Sequence, residues 1–509
     1  MNYIQGLSRG QMLLMPECVE DYISEDNSVR VIDAYIGSLE LNALGFKKAE
    51  LSETGRPPYA PQDLLKLYLY GYMNRIRSSR RLESETKRNL EVIWLLKKLS
   101  PDHKTIARFR CDNPDALKNV FKNFVKMCLG LGLYGRELAA IDGSKFKAVN
   151  SSERNFSVEE LNERIKRLNS RIDEYMQQLK EADEAEDGKR DNAAGDIKQI
   201  VERLSNRKST YESYLGEMSE NGETQKSLTD PDARLMKGAN AFEVSYNVQT
   251  AVDSKHKLIA EFDVTNDGND MKQLASMAAA ASEILEAPNI TATADTGYNS
   301  ASEIVRCIEM GITPHVAGSE GSYCVPCKED EAEKIVAHEN GKGIYIKERN
   351  IVICPMGKIM PPKFYKKSGR TGGYYNYRAC SECVCRCTKV KYRTFAVRMK
   401  KSEFSKIHNI ENLHIKQIYV KPNPAIIDRR KTIVEHPFGT IKRAMDTQYL
   451  LMSGIQKAIG EFSLVFLAYN LKRVINIVGA KRLLMMMGIP SLLAIFIFFG
   501  ALFQKSSPF

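Results

Sequence analysis

Between Leu138 and Ala317 the sequence reads as three strands, a helix, a strand, a helix and a strand, an order that few folds accommodate. Glu137 to Val149 reads as a first strand, Glu243 to Asp253 as a second, in which Val244 to Val252 alternates with period two, and Lys257 to Val264 as a third. Only Ser254-Lys255-His256 separates the last two, so they form an antiparallel hairpin. An alanine-rich helix runs from Asp270 to Leu285 with Asp270 as its cap, and a fourth strand spans Ile290 to Ala294. Ser300-Ala301-Ser302-Glu303 has the spacing of a capping box and opens a helix that stops at Gly311; Pro314 to Ala317 is the fifth strand.

This order is that of a ribonuclease H-like α/β domain with a mixed sheet, in which the first and fourth strands are neighbours. Both deliver an acid at the edge of an apolar run: Asp142 follows Leu138-Ala139-Ala140-Ile141, and Asp295 follows Ile290 to Ala294. A third, Glu435, follows Ile433-Val434. Carboxylates at the ends of buried elements are poorly hydrated and repel one another, so grouping three requires a cation. A pair of Mg²⁺ ions (or Mn²⁺), which take oxygen ligands and bind phosphate, would supply it.

The chain has 509 residues, room for two to four domains, and a formal net charge of +11 that points to a polyanionic partner. Residues 1–135 read as a mainly helical domain. One helix opens at Pro61, a second fits Ser79 to Leu99, and a short third, capped by Asp102, carries Arg108 and Arg110 on a basic face. Short helices with a basic segment have the composition of a helix-turn-helix-like DNA module; a helical scaffold with a solvated basic face is the alternative.

Two insertions interrupt the α/β domain, which is assigned to 136–320 and 421–478. In the first, 153–220, apolar residues from Leu161 to Leu179 and from Ile197 to Met218 are spaced alternately three and four apart, the pattern of a coiled-coil-type helical hairpin with a structural or dimerising role. The second, 321–420, is rich in Cys, Tyr and Lys. Cys354, Cys380, Cys383 and Cys387 could bind a structural Zn²⁺; Cys324 and Cys327 could replace some of them, with Cys385 a spare. Reduced thiols without metal are the other reading. The first residues lack the pattern of a secretory signal, so the expected location is the bacterial cytoplasm, at the nucleoid. The apolar tail, 479–509, includes Leu483 to Phe503, long enough in principle to span a bilayer. Pro490, Gly488 and Gly500 interrupt it, and a buried or poorly ordered tail with no membrane partner is expected.

Asp142-Gly-Ser-Lys-Phe, Ala294-Asp-Thr-Gly-Tyr-Asn-Ser and Val434-Glu-His-Pro-Phe-Gly-Thr-Ile-Lys-Arg resemble the catalytic motifs of DDE transposases of bacterial insertion sequences. Tyr246-Asn-Val-Gln and the stretch from Pro101 to Arg110 are also similar to that family, and the likeness runs from near residue 50 to near 475. It implies that Asp142, Asp295 and Glu435 ligate two divalent ions, one activating water or a DNA 3′-hydroxyl and the other stabilising the leaving oxygen. It also implies double-stranded DNA (element ends and target) as partner, and a homodimer or higher assembly on it. Around Glu435 the fit is partial. Some relatives carry Tyr, Arg and Lys where this chain has Asp428, Lys431 and Lys442; Lys442 matches, and Arg429, Arg430 and Arg443 are further candidate phosphate contacts. Pro437 and Gly439 argue for a kink or helix end near Glu435, and His436 reads as structural, with a contact to DNA or the metal shell as the other reading. A nuclease on the same core, or an inactive DNA-binding derivative, are the alternatives.

Overall fold

A computed structural model describes residues 18–47, 57–149, 155–184, 191–223, 225–238, 242–327, 344–346, 350–354, 358–383, 390–404 and 414–488. The N-terminal part is helical: α1 (Ser28–Gly37), α2 (Pro61–Met73), α3 (Ser79–Arg88), α4 (Leu90–Leu95), α5 (His103–Asp112) and α6 (Pro114–Gly130). The single helix expected over Ser79 to Leu99 is two. Asn89 adopts an extended backbone and its side chain caps the N–H groups of Glu91 and Val92, so a new helix starts there. Asp102 caps α5 as expected, accepting from the N–H groups of Lys104 and Thr105.

The central mixed sheet uses β1 (Leu138–Lys147), β2 (Phe242–Asp253), β3 (Ile259–Thr265), β4 (Thr291–Ala294) and β5 (Thr313–Val316), side by side as β3-β2-β1-β4-β5. A short strand, Arg234–Lys237, also pairs with β2. The hairpin β2–β3 and the pair β1–β2 are antiparallel, while β1–β4 and β4–β5 are parallel. Alternation along β1 sorts its side chains. Asp142, Ser144 and Phe146 face one side, where Phe146 packs edge-on against Phe462 at 4.8 Å. Gly143 and Lys145 face the other with Asn247 and Gln249, their partners in register on β2. That second side is covered by α9 (Leu274–Ile284) and α10 (Ala301–Glu309). The expected capping box does not form, because the Glu303 carboxylate accepts from the Ala275 N–H of α9 and ties the two helices together.

The segment between β1 and β2 forms the long helical hairpin α7 (Val158–Glu184) and α8 (Asp191–Asn221), with Phe156, Leu161, Leu168, Tyr211 and Met218 as its own small core. Beyond β5, the antiparallel strands Gly321–Cys327 and His414–Val420 frame a set of short strands with a second small core. The chain then enters α11 (Pro424–Gly439) and, later, α12 (Ile455–Val478). Of the kink or helix end expected near Glu435, the helix end is found: α11 passes through Glu435 and Pro437 and stops at Gly439. The chain continues as a wider π turn over Thr440–Ala444, where the Met445 N–H bonds the Thr440 carbonyl at 2.9 Å.

A buried polar network joins the helical part to α12. Glu461 is 0% exposed; it accepts from Arg77 Nη2 at 2.9 Å and the Leu451 N–H at 3.0 Å, and lies 3.4 Å from the Tyr72 hydroxyl. Arg110 donates to the Tyr72 hydroxyl at 2.8 Å and stacks over the Tyr68 ring. Burial disfavours its charge, but Tyr72, Glu461 and Tyr68 outweigh that and hold its pKa above the ordinary value. Arg110 therefore belongs to the core between two parts of the fold and cannot serve as the DNA contact expected of it. Among the described residues no single helix is long and apolar enough to cross a membrane, and most of the apolar tail lies outside them.

Candidate active site

The register of β1 on β4 pairs Ala139 with Ala292 and Ala140 with Thr293. Two residues further along both strands stand Asp142 and Asp295, so parallel pairing brings these acids to one end of the sheet. Asp295 closes β4 and caps a short turn, its Oδ1 accepting from the Gly297 N–H at 2.8 Å. Burial pushes the Asp142 carboxyl up to about 6; Arg430 and the Gly143 N–H oppose the shift, while Asp295 and Asp270 add to it.

Asp270 was expected to cap the helix that follows it. It does not: α9 begins at Leu274, behind an N-cap at Gln273. Asp270 instead sits behind β1, its Oδ1 accepting from Asn247 Nδ2 and Gln249 Nε2, each at 2.7 Å. The Tyr298 hydroxyl donates to Gln249 Oε1 and so fixes which way that amide faces. A Cβ at Gly143 would stand 2.7 Å from Asp270 Oδ1 and 2.4 Å from Gln249 Nε2. Only a residue without a side chain lets Asp270 approach this closely, so Asp-Gly is here a strand feature and not the turn it often marks. The signal in the sequence was the pair Asn247 and Gln249: two amides on one face of a buried strand need an acceptor.

α11 and the π turn that follows it each present a cation to this end of the sheet. Arg430 Nη1 stands 3.8 Å from Asp142 Oδ2. Three turns on, Lys442 donates to Ser144 Oγ at 2.6 Å and to the Lys145 carbonyl at 3.0 Å, and its ammonium lies 4.6 Å from the Phe146 ring centre. Burial lowers the Lys442 pKa, with Asp142 opposing the shift. Ile433, Val434, Pro437 and Phe438 are buried, whereas Glu435 is exposed. At 100° per residue it lies about 140° around the helix from Arg430. Among the described residues, no three His, Cys, Asp or Glu side chains converge closely enough to hold an ion, so Glu435 does not complete a ligand set with the two aspartates.

The other expected site residues are dispersed. Arg429, Lys431 and Arg443 are exposed on or just after α11. Arg108 is exposed and lines a cleft of about 690 Å³ with Lys47, Tyr59 and Lys104. His436 is structural: Arg473 donates to its Nε2 side, the other ring nitrogen faces the Tyr469 hydroxyl, and burial with Arg473 lowers its pKa. Cys354, Cys380 and Cys383 share one small core, and the Lys358 N–H points at Cys354 Sγ at 3.3 Å; Cys387 lies outside the described residues.

A raised carboxyl pKa has a definite consequence for stability. The contribution of Asp142 is fully present below its ordinary value of 3.8 and is lost as pH rises through about 6. Without divalent ions, Asp142→Asn is expected to become more stable relative to wild type between pH 4 and pH 8 by about 2–3 kcal/mol. Thermal denaturation in EDTA at the two pH values measures it, and a pH-independent difference would contradict the burial of this charge.

An open α/β sheet with paired aspartates at one strand end, beside cations, defines a candidate centre for chemistry on an anionic substrate. Residues 17–112 match the family described as Transposase domain (DUF772), and residues 353–475 match the family described as Transposase DDE domain. The chain is a DDE-type transposase, a protein of DNA transposition. No curated protein matches it significantly. A cryo-EM structure of a piggyBac transposase synaptic complex with hairpin DNA aligns over 91% of this chain and 77% of that one, at 7% identity and a TM-score of 0.29, too weak a likeness to carry an argument.

Proposed function

We propose that Asp142, Asp295 and Glu435 are the catalytic carboxylates of a metal-dependent reaction. The protein would cut DNA at the ends of an insertion sequence and join them to target DNA, on a ribonuclease H-like core. The observation that carries this reading is the parallel β1–β4 pairing, which sets Asp142 and Asp295 together. Glu435 has support of another kind: the DDE-domain match spans 353–475, so it contains Glu435 and leaves out both aspartates.

The donors are hard carboxylate oxygens, the ligand type that Mg²⁺ and Mn²⁺ take, and beyond burial the mutual repulsion of Asp142 and Asp295 raises the Asp142 carboxyl further, a charge that a bound cation would offset. Asp142, Asp295 and Glu435 would hold two ions, which would supply the activation of water or a 3′-hydroxyl and the stabilisation of the leaving oxygen. Arg430 and Lys442 neutralise charge beside Asp142 and are placed to meet a phosphate, while Arg429, Lys431, Arg443 and Arg108 extend the cationic surface for duplex DNA. Asp270 is a positioning residue, held by Asn247 and Gln249 behind the strand that carries Asp142. Two ends must be processed together, which calls for a homodimer or higher assembly, acting in the cytoplasm. Structural Zn²⁺ on Cys354, Cys380, Cys383 and Cys387 is part of the same proposal.

The test is cleavage of DNA carrying the segments that flank the gene, with Mg²⁺ or Mn²⁺. Glu435→Gln is expected to abolish cutting. Asp270→Asn is expected to lower it about 10–100-fold and to weaken Mn²⁺ binding, read by calorimetry, by a similar factor. Full activity in Glu435→Gln with loss in Asp270→Asn would transfer the third catalytic role to Asp270.

A further inference from the structure

The net charge of the chain is concentrated in one short region. Residues 358–404 hold thirteen Lys and Arg against two Glu, a net +11 that equals the formal charge of the entire chain. Much of this region folds as a three-stranded antiparallel sheet, β6 (Pro362–Lys366), β7 (Thr371–Tyr374) and β8 (Phe395–Arg398). Its inner face is spoken for. Tyr365, Tyr374, Phe395 and Val397 pack with Met399 and Phe404 into the small core shared with the cysteines.

The outer face is different. Register sets Lys366, Thr371 and Arg398 in one row across the three strands, and Phe364, Gly373 and Ala396 in the next. Two strand spacings place Lys366 and Arg398 about 10 Å apart. The Phe364 ring lies flat over Gly373, where a Cβ would come within 2.3 Å of it, so the glycine makes this face level. The ring is 38% exposed, and the Lys366 ammonium stands 5.7 Å from its centre. Lys367 continues the cationic row into the turn after β6. Among the described residues, no carboxylate pairs with Lys366, Lys367 or Arg398. A solvated sheet face in an ordinary domain mixes both signs; this one carries cations and an aromatic ring, with no carboxylate against them among the described residues.

We infer that the outer face of this sheet is a docking surface for duplex DNA, gripping its phosphates through Lys366, Lys367 and Arg398. Charge complementarity chooses the occupant: a polyanion whose charges lie about 1.7 Å apart along its axis gains most from a level row of fixed cations. The inference rests on DNA being the partner in the proposed function, but not on the carboxylates that perform the chemistry. It places a second anchor on the insertion, separate from α11.

The experiment uses the full chain in EDTA, with a fluorescent 40-base-pair duplex of arbitrary sequence read by anisotropy at several KCl concentrations. The combined variant Lys366→Ala, Lys367→Ala, Arg398→Ala is expected to weaken binding about 10–100-fold near 0.15 M salt. It should also reduce the slope of log affinity against log salt by about 2.7, three phosphate contacts at about 0.9 each. Lys166→Ala, Arg167→Ala, Arg171→Ala removes the same charge from exposed positions of α7 and is expected to stay within about twofold of wild type. Wild-type binding by the sheet variant, or equal loss in the α7 control, would overturn the inference. So would a loss confined to a single-stranded probe. Asp142→Asn, with binding read in the same assay and cutting read separately with Mg²⁺, separates the two claims: it should bind as wild type and not cut, whereas a sheet variant that binds as wild type overturns the docking surface and leaves the catalytic reading standing.

Discussion

Asp295→Asn is expected to bind DNA as wild type does and to cut it more than about 10³-fold more slowly at equal folded concentration. The substitution keeps the size of the side chain and an oxygen that can still accept from the Gly297 N–H, so the turn after β4 should survive. What it removes is one of the two negative charges that parallel pairing brings together. A neutral amide is a weaker ligand for a hard divalent ion, and it no longer neutralises that ion's charge. Circular dichroism and a denaturation midpoint near wild type would confirm the fold, and a cleavage time course with Mg²⁺ reads the loss. Retained wild-type cleavage would remove Asp295 from the chemistry.

The second large effect concerns the fold. Glu461→Ala is expected to cost about 3–5 kcal/mol, because it leaves Arg77 and Arg110 buried without the carboxylate between them. That is a large part of the stability of most proteins. Glu461→Gln keeps an acceptor but not the charge, and should lose less. Since the network ties α2 and α5 to α12, the loss should appear in the helical part and in the sheet together, as one earlier transition in chemical denaturation. A change under about 1 kcal/mol in the Ala variant would mean that the two guanidiniums find other partners.

The legible parts of the sequence were those where period or punctuation leaves little choice. The five strands, the β2–β3 hairpin and the helical hairpin followed from alternation and three–four spacing, and the convergence of Asp142 with Asp295 followed from strand order. The misreadings have physical reasons. Arg110 looked like part of a basic face, yet it stands four residues after Ile106 and one after Phe109, on the buried side of α5. A long-range carboxylate at Glu461 made that burial tolerable, and no local pattern announces it. Asp270 looked like a cap because caps are common ahead of an alanine-rich run; its true partners lie more than twenty residues back on β2. The helix end expected near Glu435 is real: the helix passes Pro437, stops at Gly439 and widens into a π turn, which keeps Lys442 against Ser144.

Joining is the step that separates a transposase from a nuclease built on the same core, and it can be measured directly. Pre-cut duplex ends from the flanking DNA, a supercoiled target plasmid and Mg²⁺ are incubated with the protein, and joined products are resolved on a gel. Covalently joined end–target molecules with wild type, and none with Asp142→Asn or Asp295→Asn, are the predicted result. Cutting without joining, or joined products that persist in the two aspartate variants, would contradict the account.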